Sequence, residues 1–97
     1  MANYKLSVKA EQDIAEIYEY GILNFGRDLA TRYIMGLQTK FEFISDNPNL
    51  TLSADDILPG LKRTYYRSHV IFHISINNEI LIVRILRQEM DFERHLT

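Results

Sequence analysis

Two hydrophobic periods divide the chain. Apolar residues fall at Ala10, Ile14, Ile17, Tyr18, Gly21, Ile22 and Phe25, and again at Ala30, Tyr33, Ile34, Leu37, Phe41 and Ile44. Separations of three and four place each set on one face of a helix. The first helix is predicted to end at Gly26 in the left-handed conformation that glycine tolerates. The second is predicted to run from about Asp28 to Asp46, where Pro48 prevents continuation. Gly21 lies on the first stripe, where a missing side chain lets another helix approach closely. So short a link predicts an antiparallel helix pair. A brief strand, at about residues 3–8, is expected ahead of it.

After Gly60 the period shortens to two. The segments "LKRTYY" (61–66), "VIFHISI" (70–76) and "ILIVRIL" (80–86) predict three strands. Asn77 and Asn78 suit the positive φ angles of a two-residue turn, which would pair Ile76 with Glu79, Ile74 with Leu81, Phe72 with Val83 and Val70 with Ile85. That face, nearly all apolar, is expected to receive the helices. The opposite face then carries His69, Ile71, His73 and Ser75 beside Ile80, Ile82, Arg84 and Leu86. With aliphatic residues at half of its positions it also needs a cover. Either the tail folds back and lays Met90, Phe92 and Leu96 over it, or a partner chain supplies the cover. Residues 47–60 read as a surface crossover from helix to sheet, with a binding loop as the alternative. The order predicts an α+β fold, β-α-α-β-β-β, with a helix hairpin packed on a small, mainly antiparallel sheet. Residues 1–97 are enough for a single domain.

Composition narrows the chemistry. The absence of cysteine excludes a disulfide framework and a thiolate zinc site. The N-terminus has no apolar run of signal-peptide length, and "ILIV" is far short of the ~20 residues that span a bilayer. A soluble, cytoplasmic protein is expected. The net charge of -2 argues against a general grip on nucleic acid, but the charge is unevenly spread. Residues 61–88 carry Lys62, Arg63, Arg67, Arg84 and Arg87 against Glu79 alone, whereas the first sixty residues are acidic. The sheet can therefore attract an acidic partner.

Three kinds of chemistry can be tested against the hairpin. His69 and His73 share a face, yet four strand residues set them ~13 Å apart, too far for one metal ion. A nucleophilic triad has no cysteine and no elbow motif at Ser68 or Ser75, and the scattered glycines form no phosphate loop, so no cofactor is called for. Metal-free RNA cleavage needs a base, an acid and cations at the phosphate, which His69, His73, Arg84 and Arg87 could supply. Against it stand the aliphatic neighbours Ile71, Ile80 and Ile82 and the acidic stretch Glu89, Asp91 and Glu93, which repels phosphate.

The segments "NFGRDLATRYI" at the helix break, "NPN" after the second helix, "YYRSHVIFHIS" and "VRILRQEMDFERHL" resemble the ParE branch of the RelE/ParE toxin superfamily, over nearly the whole chain. The resemblance implies the toxin of a bacterial type II toxin-antitoxin pair that acts by binding, not catalysis, and traps DNA gyrase on cleaved DNA. It implies a ParD-like antitoxin, with a ribbon-helix-helix part that binds operator DNA and a segment that wraps the toxin in a hetero-oligomer. Arg84, Arg87, Met90 and Asp91 are then candidates for the toxic surface, and Ile71, Ile80 and Ile82 for antitoxin contact. The alternative within the superfamily is a RelE-like endoribonuclease using His69, His73 and Arg84. RelE-like nucleases rely on basic and aromatic groups near the C-terminus, where this chain has Gln88, Glu89, Met90 and Asp91. His73 and Arg87 stand where many ParE-like sequences have tyrosine and histidine.

Overall fold

Ser7 turns the first strand into the first helix. In the computed structural model, which describes residues 4–96, strand β1 spans Tyr4–Leu6 and helix α1 spans Val8–Phe25. The Ser7 hydroxyl accepts from the Ala10 N–H at 2.9 Å, an N-cap, and donates to the Val83 carbonyl at 2.7 Å. The strand is thus shorter than predicted, because Val8 already belongs to the helix, and Asn3 lies outside the described residues.

Gly26 joins α1 to helix α2, which spans Arg27–Asp46. Its N–H closes α1 on the Ile22 carbonyl and its carbonyl accepts from Ala30. The predicted positive φ is present, at 89°, but ψ is 162°, an extended conformation open essentially to glycine alone. One residue therefore ends one helix and begins the next. At Gly21 a Cβ would stand 3.0 Å from that of Ala30, which is the close helix approach the stripe predicted.

Strands β2 (Leu52–Ser53), β3 (Lys62–Tyr66), β4 (His69–Ile76) and β5 (Glu79–Arg87) complete a sheet of order β1-β5-β4-β3-β2. β1 runs parallel to β5 and the other pairs are antiparallel. A short helix α3 (Phe92–Leu96) follows. The architecture is α+β, as expected, with β2 and α3 in addition. Asn77 and Asn78 take φ angles of 50° and 65°, and Ile76 faces Glu79 and Ile74 faces Leu81 as the turn dictates.

Beyond that point the predicted register fails. A bulge leaves Val83 without a cross-strand partner, so Phe72 faces Arg84 instead of Val83, and Val70 faces Leu86 instead of Ile85. Val83 is where Ser7 docks, so the extra residue serves the strand-to-helix turn.

The assignment of faces is also corrected. Ile71, Ile80, Ile82 and Ile85 form one core with Ala10, Leu37, Phe41 and Ile44 of the helices. Val70, Phe72 and Leu86 lie on the other side, covered by Met90, Phe92 and Leu96 of the tail and by Ala54, Ile57, Leu58 and Leu61. The side expected to receive the helices receives the tail. Polarity misled the reading, because His69 and His73 share the helix side: the Thr64 hydroxyl meets His73 Nε2 at 3.0 Å, leaving its buried Nδ1 without a partner, and Tyr33 meets His69 at 2.6 Å. Residues 47–60 form the surface crossover, and part of it is a lid over the second face.

Candidate functional site

Where the β3–β4 turn and the end of β5 meet the helix hairpin, neither cover closes the sheet. A cleft of about 930 Å³ opens there. α1 contributes Asp13, Ile17 and Tyr20, α2 contributes Leu29, Arg32 and Tyr33, and the β3–β4 turn contributes Tyr66, Arg67 and His69. Arg84 and Arg87 of β5, with Glu89, Met90 and His95, form the far wall. Phe25 and Leu29, at the hairpin tip, are mostly exposed, so an apolar floor runs out to the surface.

An aromatic stack orders one wall. Tyr33 and Tyr66 meet edge to face at 5.1 Å, and the Tyr66 hydroxyl donates to the Tyr33 carbonyl at 3.2 Å. Gly36 makes this possible, since a Cβ at that position would collide with the Tyr66 hydroxyl. Tyr33 in turn is bonded to His69 Nδ1. Burial raises the Tyr33 pKa, and burial followed by the Arg87 charge lowers that of His69. A neutral His69 matches a Tyr33 hydroxyl that donates to it.

The opposite wall hangs on Asp13. Its Oδ2 accepts from Arg84 Nε at 2.8 Å and from the Ile85 N–H at 3.0 Å, and its Oδ1 accepts from Arg84 Nη2 at 2.9 Å. β1 ends at Leu6, opposite Ile82, so the edge of β5 beyond the bulge lacks a strand partner there, and a carboxylate from α1 takes the Ile85 donor. This fork-to-fork pair fixes the guanidinium, and its hydrogen bonds to Asp13 raise the Arg84 pKa.

The predicted toxic surface is thus divided. Arg87 is half exposed and pairs with Glu89 at 3.5 Å, and Met90 lines the cleft. Asp91 is exposed just before α3, and Arg84 is largely engaged inside the molecule. Ile71, Ile80 and Ile82 are 0, 5 and 0% exposed beneath the helices, so the surface expected to take an antitoxin on these residues is not accessible. The nuclease set is not assembled either. His69 borders the cleft and Arg84 is paired with Asp13, but His73 is sealed in the sheet, where burial and then Lys62 push its pKa down to about 4. Among the described residues no group of three His, Asp or Glu could hold a metal ion, and no helix is long and apolar enough to cross a membrane.

Sequence reasoning missed Asp13, Tyr33, Tyr66 and the hairpin tip as site components. Asp13 left a signal: it sits on the apolar stripe, three residues after Ala10 and four before Ile17, where an unpaired carboxylate would be costly. Leu23 and Leu29 left another, being large aliphatics off both stripes and 78% and 54% exposed.

Comparison with known proteins points one way. The family described as "ParE toxin of type II toxin-antitoxin system, parDE" matches residues 4–92. The chain is 30% identical to "Toxin ParE1" of Caulobacter vibrioides over 99% of both chains, and 31% identical to "Toxin ParE1" of Mycobacterium tuberculosis over 98% of both. The solved structure described as "Chromosomal ParDE TA system from P. aeruginosa" superposes with a TM-score of 0.80 at 21% identity, covering 92% of this chain and 98% of that one.

Proposed function

We propose, from the premise that the chain belongs to the ParE toxin family of type II toxin-antitoxin systems, that it disables DNA gyrase by binding it and is neutralised by a ribbon-helix-helix antitoxin. ParE toxins act by binding and not by catalysis, and the observation that supports this mode here is the cleft. Its floor is aliphatic and aromatic, its rim carries Arg32, Arg67 and Arg87, and the groups for phosphodiester cleavage are dispersed or already paired. Such a surface suits an amphipathic segment that buries apolar residues and brings carboxylates to the rim.

The antitoxin segment orders along the cleft, over Tyr20, Leu29 and Tyr33, because the isoleucines of the inner sheet face are closed to it. Gyrase is met by Arg87 and Met90 at the cleft's far wall and by the exposed Asp91 that follows them, with Arg84 as support. An antitoxin lying in the cleft then covers part of the toxic surface, which accounts for neutralisation by occlusion.

Purified protein added to gyrase and plasmid should inhibit supercoiling and accumulate cleaved plasmid, Arg87→Ala should reduce this at least tenfold, and transcripts incubated alongside should stay intact. Cut RNA with unimpaired supercoiling would reverse the assignment in favour of a nuclease.

A further inference from the structure

We infer that Asp13 is a positioning residue: through Arg84 it holds the tail helix in place as one wall of the cleft. The inference rests on the reading of the cleft as the partner-binding site. Asp13 is 7% exposed and engages three donors, so it is not an incidental surface contact. With Nε and Nη2 held by the carboxylate, the planar guanidinium has one orientation. Its Nη1 then meets the carbonyl of His95, in α3, at 3.1 Å.

Arg84 and His95 border the large cleft and also a second hollow of about 270 Å³, which lies against Ser7, Lys9 and Leu96. The guanidinium is therefore a post between two hollows, and it joins the tail to α1 across space that side chains leave open. A helix of five residues has little stability of its own. α3 is seated by Phe92 and Leu96 on the outer sheet face, and the Arg84 bond fixes where along that seat it stops. When the clasp opens, α3 shifts, the hollows merge, and Met90 and Glu89 lose their places on the wall.

Native-state trypsin digestion of the full chain reads this directly. Cutting after Arg94, within α3, reports tail opening, and cutting after Lys40, within α2, reports opening of the whole domain. Asp13→Asn should speed cutting after Arg94 about tenfold, the size of one lost charge-assisted hydrogen bond, and by more than any change at Lys40. Asp13→Glu, whose extra methylene the cleft can take, should return most of the slow rate. Arg84→Lys, which keeps the charge but lacks the fork, serves if Asp13→Asn does not fold, and should loosen the tail selectively. A rate after Arg94 that is unchanged, or that rises only in step with Lys40, overturns the role of Asp13. Growth arrest in cells expressing Asp13→Asn without antitoxin separates the two claims: a loosened tail with arrest lost supports both, and a loosened tail with full arrest supports the clasp while overturning the cleft reading.

Discussion

On one side of the sheet, helices of 18 and 20 residues seal Ile71, Ile80, Ile82 and Ile85. On the other, a five-residue helix and the turn from Ala54 to Leu61 cover Val70, Phe72 and Leu86. The helix side is fixed by long-range packing and carries the stability of the domain. The tail side is closed by short pieces that a few polar contacts hold in register, so it is the side that can yield. The cleft lies at the seam between the two covers, where a rigid floor meets a wall that can move. A binding protein gains from that division, because the floor is pre-organised while the wall adapts.

The sharpest way to break the contrast is to remove one aromatic ring from each side. Phe41→Ala, in the sealed core against Tyr4, should cost roughly 3–5 kcal/mol of unfolding free energy. Phe92→Ala, whose half-buried ring stacks on Phe72 at 5.0 Å, should cost only about 1–2 kcal/mol. Urea titration of both variants gives the comparison, and equal costs would erase it.

Acid probes the helix side next. His73 is neutral in the fold with its pKa at about 4, whereas the unfolded chain takes the proton near 6.5. Between those values the unfolded state binds more protons, so stability falls as pH falls from about 6.5 and levels off near 4, by a total on the order of 3 kcal/mol. His69, also lowered, adds a loss of the same sign. Urea midpoints at pH 7 and pH 4.5 should differ clearly less in His73→Gln than in the parent.

The two long helices and four of the five strands were legible because their periods differ and their punctuation is strong: Gly26, Pro48, and the two asparagines at 77 and 78. The bulge was not, since nothing in "ILIVRIL" marks Val83 as the residue that drops out of register. Its reason is tertiary, the hydroxyl of Ser7 reaching the Val83 carbonyl. The choice of faces failed for a related cause. Counting apolar residues favoured Val70, Phe72 and Ile74, but Tyr33 bonds His69 and Thr64 bonds one nitrogen of His73, and a neutral His73 is buried with its Nδ1 unpaired, so the other side is buried in spite of its two histidines. Tail residues Met90, Phe92 and Leu96 were correctly read as one way of closing a sheet face, although they close the one opposite to that expected. Of the site, the arginines and Met90 were visible as types in a basic segment. Asp13, more than seventy residues away in sequence, was not.

Smaller effects refine the cleft itself. Gly36→Ala should push the Tyr66 hydroxyl off the Tyr33 carbonyl, costing about 1 kcal/mol and weakening partner binding through a disordered wall. Calorimetric titration with the cognate antitoxin alongside a thermal melt separates these. Arg87→Ala should change stability by no more than about 0.5 kcal/mol, since its pair with Glu89 is exposed, yet it should abolish most of the effect on gyrase. If the melt and the gyrase assay moved together, Arg87 would be a structural residue.

Hydrogen exchange of this chain, measured with and without its cognate antitoxin, addresses the cleft most directly. Added protection should concentrate at residues 29–33, 66–69 and 84–90, with little change at the β2 edge around 50–53. Protection centred on that edge and on the 47–60 crossover, with the cleft residues exchanging as in the isolated chain, would contradict the assignment of the cleft as the place where the partner binds.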